Sequence, residues 1–519
     1  MTDSATTPKP LIYRILDAIE RLGDKLPDPV FIFAWFIGAL VLASVVCAAL
    51  GVSAVNPIDG ELLEAESLLA GENVRQLLVE MPKTLTGFAP LGYVLLIMLG
   101  AGLAERVGLL PAALRVLIGA APKRLLTPMV IFIGLLANQA ADSGFVILLP
   151  LAGVAFAAAG RHPIAGIAAA FAGVVGSFAG NPLPGQFDAL ILGLTEPAAR
   201  LIDKGWTANL VGNWFFTAAG SVIFVPVAWF VTDRIVEPRL GPWTPAPDQA
   251  QLAAPLEATE RRGLWIAGLV ALAVMATWAA LALAPGAPLV DGEAAGPARW
   301  TPFFRSLVAG FFVLFLSSGL AYGLAVGVIR SDKDVVRLCA DSMAAMSPYI
   351  VLAFAAAHFI AMFNWSNLGA ITAIHGAEAL RESGLPVPVL LMGLVLLTAG
   401  LDMLIGSASA KWAALAPVLV PMLMLVGVSP EMTTAAYRMG DSTVNMASPL
   451  MPYFGLGLAF CQRWKPDFGV GGLISAMLPY SAAMMAAGVL MTGLWAAFEL
   501  PLGPAAGVHY TPPTGSLAP

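Results

Sequence analysis

Residues 141–183 read ADSGFVILLPLAGVAFAAAGRHPIAGIAAAFAGVVGSFAGNPL, and residues 408–450 read ASAKWAALAPVLVPMLMLVGVSPEMTTAAYRMGDSTVNMASPL. Laid over one another without a gap, 267 positions apart, they agree at ten of 43 positions. The agreement includes Pro150/Pro417, Gly160/Gly427, Pro163/Pro430, Gly173/Gly440 and Pro182/Pro449, and Phe145 faces Trp412. Matched prolines and glycines repeat backbone breaks rather than composition. In a membrane chain, interrupted helices at corresponding places in two halves point to a transport site near the midplane.

Composition puts the chain in a bilayer. It is 58% hydrophobic and 12% charged, with a mean hydropathy of +0.82, whereas soluble domains carry about 25% charged residues. Cys47, Cys339 and Cys461 are far apart, as are His162, His358, His375 and His509. Neither set has a metal spacing, so no resident metal or cofactor and no nucleic-acid partner is expected. The first long apolar run, from Val30, reads as a permanent span rather than a cleaved leader.

Apolar runs of spanning length cover 30–51, 88–110, 163–200, 208–231, 263–285, 302–329, 340–363, 430–460 and 470–497. Two more, 127–159 and 388–427, are interrupted by polar clusters at 138–144 and 406–411 and read as re-entrant helical hairpins. The expected fold is thus all-α and integral to the membrane, with about nine spans, two hairpins and broken helices. This layout puts 18 of the 27 Lys and Arg on one face and 7 on the other, leaving Lys411 and Arg438 inside the membrane. The positive-inside rule then makes the N-terminus cytoplasmic in a multi-pass protein of a bacterial inner or plasma membrane. The two hairpins enter from opposite faces, so the repeat is inverted, the arrangement of alternating-access transporters. The chain divides into a cytoplasmic segment 1–29, first scaffold spans 30–126 with an external loop 52–87, repeat one at 127–231, further scaffold at 232–386, repeat two at 387–497 and an external tail 498–519.

Chemistry is expected where the spans break. GSFAGNPLPG at 176–185 and SPLMP at 448–452 cannot stay helical. Carbonyls freed there, with neutral oxygens from Asn138, Asn181, Ser407, Ser409, Ser442, Thr443 and Asn445, suit a desolvated sodium ion, with Asp142 at the first hairpin tip as a further candidate. Membrane-embedded charges are costly and mark functional sites. Arg438 and Asp441, three residues apart, can pair on one helix face. Two readings stay open: a self-neutralising ion pair, or Arg438 on a substrate carboxylate with Asp441 or Asp188 taking a proton or cation. Asp402 and Glu196 lie nearer span ends and are expected at the interface. Trp412, just past the second hairpin tip, offers a ring to an aromatic, anionic solute.

These residues resemble the AbgT family, the aminobenzoyl-glutamate transporters. The likeness is carried by NQAADSGFVILLP at 138–150, by 160–195, by GSASAKWAALAPVLVPMLMLVGVSP at 406–430 and by RMGDSTVNMASPLMPYF at 438–454. The SAKW and GDS…N…PLMPYF stretches are its specific parts. The resemblance implies nine spans plus two hairpins and a substrate path around Asp188, Ser409, Trp412, Pro430, Arg438 and Asp441. It also implies a homodimer, uptake of folate-breakdown products such as p-aminobenzoyl-glutamate, and export of sulfonamide antimetabolites.

The reading is therefore a secondary active transporter of aromatic carboxylates, coupled to sodium or protons, and not an enzyme. A sodium-coupled dicarboxylate carrier is the alternative, in which Trp412 only packs. An intramembrane enzyme ranks below both, since only Ser407 and Ser409 near Lys411 resemble a nucleophile beside a base.

Overall fold

The structure is a computed structural model describing residues 29–55, 60, 62–119, 122–137, 144–243, 257–284, 286–293, 299–402, 406–451 and 453–510. In chain order the first elements are α1 (Pro29–Ala49), a short antiparallel pair β1 (Ser53–Val55) and β2 (Leu62–Glu64), α2 (Gly71–Thr86), α3 (Ala89–Arg106) and α4 (Leu109–Gly119). Next come α5 (Leu126–Leu136), a π-helical turn (Gly144–Leu148) leading into α6 (Leu149–Ala158), α7 (Pro163–Gly176), α8 (Gln186–Ala199) and α9 (Trp214–Val231). A second π-helical turn (Thr232–Val236) leads into the short α10 (Glu237–Leu240), followed by α11 (Ala258–Leu283), α12 (Thr301–Val326), α13 (Asp332–Ala345), α14 (Ser347–Trp365) and α15 (Leu368–Glu382). The chain closes with α16 (Val387–Asp402), α17 (Ala408–Leu425), α18 (Pro430–Asn445), α19 (Phe454–Gln462) and α20 (Val470–Ala497).

The sequence offset of 267 reappears in the elements. Helices α5 to α9 have counterparts in α16 to α20, in the same order and at nearly that spacing. Equivalent helices begin for equivalent reasons. Pro163 opens α7 and Pro430 opens α18, where a missing N–H costs nothing. The preceding residues, His162 and Ser429, are counterparts and both cap: His162 Nδ1 accepts from Ile164 N at 3.2 Å, and Ser429 Oγ accepts from Met432 N at 3.1 Å. Burial holds the His162 imidazole below its ordinary range, so the ring is neutral at pH 7 and Nδ1 can accept. Counterpart glycines also do the same work. Gly173 lets α7 close on α5, where a Cβ would sit 2.6 Å from the Ile131 carbonyl, and Gly440 lets α18 close on α16 against Thr398 and Val395.

Both broken spans are interrupted where prolines and glycines demand it. Helix stops at Gly176 and resumes at Gln186, then stops at Asn445 and resumes at Phe454. The cores of the repeats meet at these helices, with Ser442 Oγ donating to the carbonyl of Val175, its own counterpart, at 2.8 Å. Around them α3, α11, α12 and α13 pack on one another, and α3 also packs against α8 of the first repeat. The outer face of α11 is apolar and exposed (Trp265 73%, Leu269 64%), as lipid contact requires.

By length and composition, six helices among the described residues could cross a membrane, or seven if the pair Asp332–Ala344 and Tyr349–Trp365, bent by 51°, is one span. The expected count is nine, and the two broken spans enter this count only as short helices, neither long enough alone. Two segments outside the repeats carry structure. The stretch 52–87 holds the strand pair and the polar α2, which packs on α14. The C-terminal segment is bonded over 500–510: Val508 O accepts from Ser429 N at 2.8 Å, and Leu502 O from Phe215 N at 2.8 Å. It straps the starts of α9 and α18 together.

Candidate functional site

Helix α18, PEMTTAAYRMGDSTVN, is polar in sequence and buried along its whole length. A polar helix survives burial only where its groups find partners inside the protein, so those partners define the site. Arg438 and Asp441 do not pair with each other, contrary to their spacing. Arg438 Nη1 donates to Asp188 Oδ1 at 2.6 Å, and its Nε donates to the Phe178 carbonyl at 2.6 Å. The break in the first repeat accounts for both contacts. Unwinding after Gly176 frees the Phe178 carbonyl, and Asp188 sits in the first turn of α8, where its Oδ2 accepts from Gly185 N at 2.7 Å. Arg438 thus meets a stronger partner on another element than its neighbour three residues away.

Asp441 instead meets Lys411. Lys411 Nζ lies 2.8 Å from Asp441 Oδ1 and also bonds Asp402 Oδ1. Asp402 is therefore not interfacial: it ends α16 at 0% exposure, facing Lys411 in the first turn of α17. Two carboxylates share one ammonium, all three inaccessible to water. Tyr437 Oη closes the group, donating to the Ala408 carbonyl at 2.6 Å and lying 3.3 Å from Asp441 Oδ1. Glu196 is also buried rather than interfacial, paired with Arg200 and 3.4 Å from Tyr93 Oη.

Trp412 is fully enclosed, so no ring face is open to a solute in this conformation. Its ring stacks on Tyr437 at 4.3 Å between centroids, and its Nε1 donates to Thr195 Oγ1 at 2.9 Å. Thr195 Oγ1 is 3.0 Å from Thr434 Oγ1, which donates to the Pro430 carbonyl at 2.7 Å. Trp412 and Pro430 thus belong to one chain of contacts that crosses from α17 through α8 to α18. Ser407 caps α17 through Ala410 N at 3.4 Å, with Ser409 Oγ 3.5 Å from its hydroxyl, and both serines are half-buried. Asn181 and Asn445 are buried, and the Oδ1 of each has no hydrogen-bond partner among the described residues. Asn138 and Asp142 lie outside the described residues.

Sequence reasoning missed Asp402 as a partner, although opposite charges nine residues apart across a polar tip were a usable signal. It also missed Thr195, Thr434 and the Phe178 carbonyl, and only the last of these is foreshadowed, by the glycines and prolines after it.

Residues 14–510 match the family described as "AbgT putative transporter family". The chain is 38% identical over 490 residues to the p-aminobenzoyl-glutamate transport protein of Escherichia coli (strain K12), covering 94% of this chain and 95% of that protein. Among solved structures it resembles the Alcanivorax borkumensis YdaH transporter, at 41% identity and a TM-score of 0.85, covering 92% of this chain and all of that one. It also resembles Neisseria gonorrhoeae MtrF, described within a class of antimetabolite efflux pumps, at 40% identity and a TM-score of 0.88, covering 96% of this chain and all of that one. Lys411, the one residue that suggested an intramembrane enzyme, is held between two carboxylates, and these relatives are transporters. The likeness is sequence-wide and structure-wide, and the chain belongs to the AbgT family of transporters, as a multi-pass protein of the inner membrane.

Proposed function

We propose that the chain is a secondary active transporter of p-aminobenzoyl-glutamate and related aromatic carboxylates, sulfonamide antimetabolites among them, working by alternating access. One observation carries this reading. The buried pair Arg438–Asp188 ties the broken span of one repeat to that of the other, and Arg438 Nη2 is buried with no partner among the described residues. A buried guanidinium N–H without an acceptor is unfavourable, and a carboxylate is its best partner. The solute would bind Arg438 in place of, or beside, Asp188, and so couple its own binding to the contact between the repeats.

The cluster Asp402–Lys411–Asp441 supports ion coupling. With all three groups ionised it carries one excess negative charge, and an uncompensated buried charge costs several kcal/mol. A proton or a monovalent cation removes that cost, and Asp402 Oδ2 and Asp441 Oδ2 are both buried and unpartnered among the described residues. Asn181, Asn445, Ser407 and Ser409 supply neutral oxygens for a sodium ion; Asn138 and Asp142 stay candidates from sequence. Trp412, Pro430 and Ser409 belong to the same path in this reading, Trp412 meeting the solute after a change that parts it from Tyr437.

The same reading keeps nine crossings, with α1, the bent pair, the two broken spans and five of the long helices as spans, and α17 as a hairpin arm. It keeps re-entrant hairpins from opposite faces, an inverted repeat with the division into segments given above, a cytoplasmic N-terminus and a homodimer. A sodium-coupled dicarboxylate carrier is not favoured, because the relative whose solute is named is a p-aminobenzoyl-glutamate transport protein.

The test is uptake of labelled p-aminobenzoyl-glutamate into proteoliposomes, with sodium and proton gradients imposed separately. We expect concentrative uptake under at least one gradient. Equal fluxes with and without either gradient would remove the coupling, and no flux in any condition would remove the substrate.

A further inference from the structure

The enclosed Trp412 leaves open where the aromatic end of a solute lies, and a cavity on the other side of Arg438 answers it. Its volume is about 250 Å³. A dry cavity of about 150 Å³ is enough for benzene, whereas drug-sized ligands occupy about 300–1,000 Å³. This space therefore fits one ring with a substituent and not a whole aminobenzoyl-glutamate.

Its walls are aromatic. Phe178 and Phe187 stack at 4.7 Å on one side, and Phe145 stacks on Tyr453 at 4.2 Å. No charged side chain is among the described lining residues. A carboxylate placed there would be buried without compensation, so the cavity selects a neutral group.

Of the polar residues that line an otherwise apolar site, Ser177 already spends its hydroxyl on the Val174 carbonyl. Gln186 Nε2 and Tyr349 Oη are buried, and neither has a hydrogen-bond partner among the described residues. Buried donors left unmade are costly, and they suit the carbonyl or sulfonyl oxygen of an aryl group. The cavity is also adjacent to the charge reader. Arg438 lies over the Phe187 ring, its guanidinium carbon 5.4 Å from the centroid, and Arg438 Nε bonds the Phe178 carbonyl. The Phe178–Phe187 stack is thus a shared wall between a neutral aromatic space and a cationic one. Tyr453 belongs to the second repeat and Tyr349 to α14, so the cavity is assembled from both repeats and the scaffold.

Resting on the transport reading above, we propose that this cavity takes the neutral aryl end of the solute, with Gln186 and Tyr349 as specificity-determining hydrogen-bond donors, while Arg438 takes its carboxylate. The substrate class is then an aryl group bearing an oxygen acceptor, joined through a short linker to an anion.

The experiment is calorimetric binding to the purified full-length protein in detergent, with p-aminobenzoyl-glutamate and with p-aminobenzamide, a neutral probe that carries the ring and the acceptor alone. Gln186→Leu and the shape-conserving Tyr349→Phe should each weaken both ligands about fivefold to tenfold. Leu190→Trp, which fills the cavity from its lining, should abolish binding of both, whereas Arg438→Lys should weaken p-aminobenzoyl-glutamate and spare p-aminobenzamide. Folded variants that bind p-aminobenzoyl-glutamate as the wild type does would overturn the cavity assignment and leave the transport reading standing. Loss of p-aminobenzamide in Arg438→Lys would overturn the separation of the two subsites. A wild type that binds neither ligand would overturn the transport reading and this one with it.

Discussion

Helices α7 and α18 are counterparts in the two repeats, both buried throughout, and they are chemically opposite. Phe171, Val174 and Val175 of α7 stand where α18 has Arg438, Asp441 and Ser442. The other charges of the cluster show the same contrast: Asp402 answers to Leu135 and Lys411 to Gly144. The backbone frame, set by Pro163/Pro430 and Gly173/Gly440, is twofold, but four of the five charges in the two ion-paired groups, Asp402, Lys411, Arg438 and Asp441, lie in the second repeat. Asp188 is the first repeat's contribution, and its counterpart is Gly455. A twofold frame can rock between two arrangements, and a one-sided cargo of charge lets solute and ion bias that rocking through a single set of contacts.

Copying the first repeat's chemistry into the second breaks the comparison most severely. Lys411→Met leaves Asp402 and Asp441 facing each other without their cation, and should cost about 3–5 kcal/mol of stability. Thermal unfolding in detergent measures it. The triple change Asp402→Leu, Lys411→Met and Asp441→Val should recover that stability to within about 2 kcal/mol, because replacing a buried ion cluster with apolar residues of similar volume is often neutral. It should transport nothing. A Lys411→Met protein as stable as wild type would mean that Lys411 compensates no charge.

The frame itself is tested by its two glycines. A Cβ at Gly440 would land on Thr398 Oγ1 and on the Val395 carbonyl, which cannot rotate away, whereas at Gly173 the nearest atom is the Ile131 carbonyl at 2.6 Å. Alanine at either position should cost about 1–3 kcal/mol, with Gly440→Ala the worse. Equal melting temperatures for both variants and the wild type would show that close helix approach does not hold the repeats.

The smallest effect is expected where the repeats are most alike. Trp412→Phe installs the counterpart residue, Phe145, and removes one N–H bond to Thr195. Its cost should be about 1 kcal/mol or less, since Thr195 keeps its bond to the Ile191 carbonyl. A loss of several kcal/mol would place Trp412 in the structural frame and not in the exchangeable cargo.

How far the sequence reaches follows the same division. Prolines and glycines act locally, so the breaks at 176–185 and 448–452, the matched prolines that open α7 and α18 and the 267-residue offset are legible in the amino-acid order alone. Choice of partner is not local. Arg438 finds Asp188 from 250 residues away, and Asp441 finds Lys411 across a helical hairpin, so spacing on one helix points to a plausible and wrong pair. Asp402 reads as interfacial because hydropathy records distance along the chain and not depth in a fold. Thr195 and Thr434 carry no sequence signal at all, being ordinary hydroxyl residues of α8 and α18 until they meet at 3.0 Å.

Whether the charge cargo of α18 reads the solute is tested most directly by the affinity of the purified protein for p-aminobenzoyl-glutamate before and after Arg438→Lys. Lysine keeps the charge and loses the planar fork. Losing a buried charge-assisted bond of about 2–3 kcal/mol should weaken binding roughly 30- to 150-fold, in a protein whose circular dichroism and elution are unchanged. Wild-type affinity in a folded Arg438→Lys protein would contradict that role and make the Arg438–Asp188 pair a structural bridge.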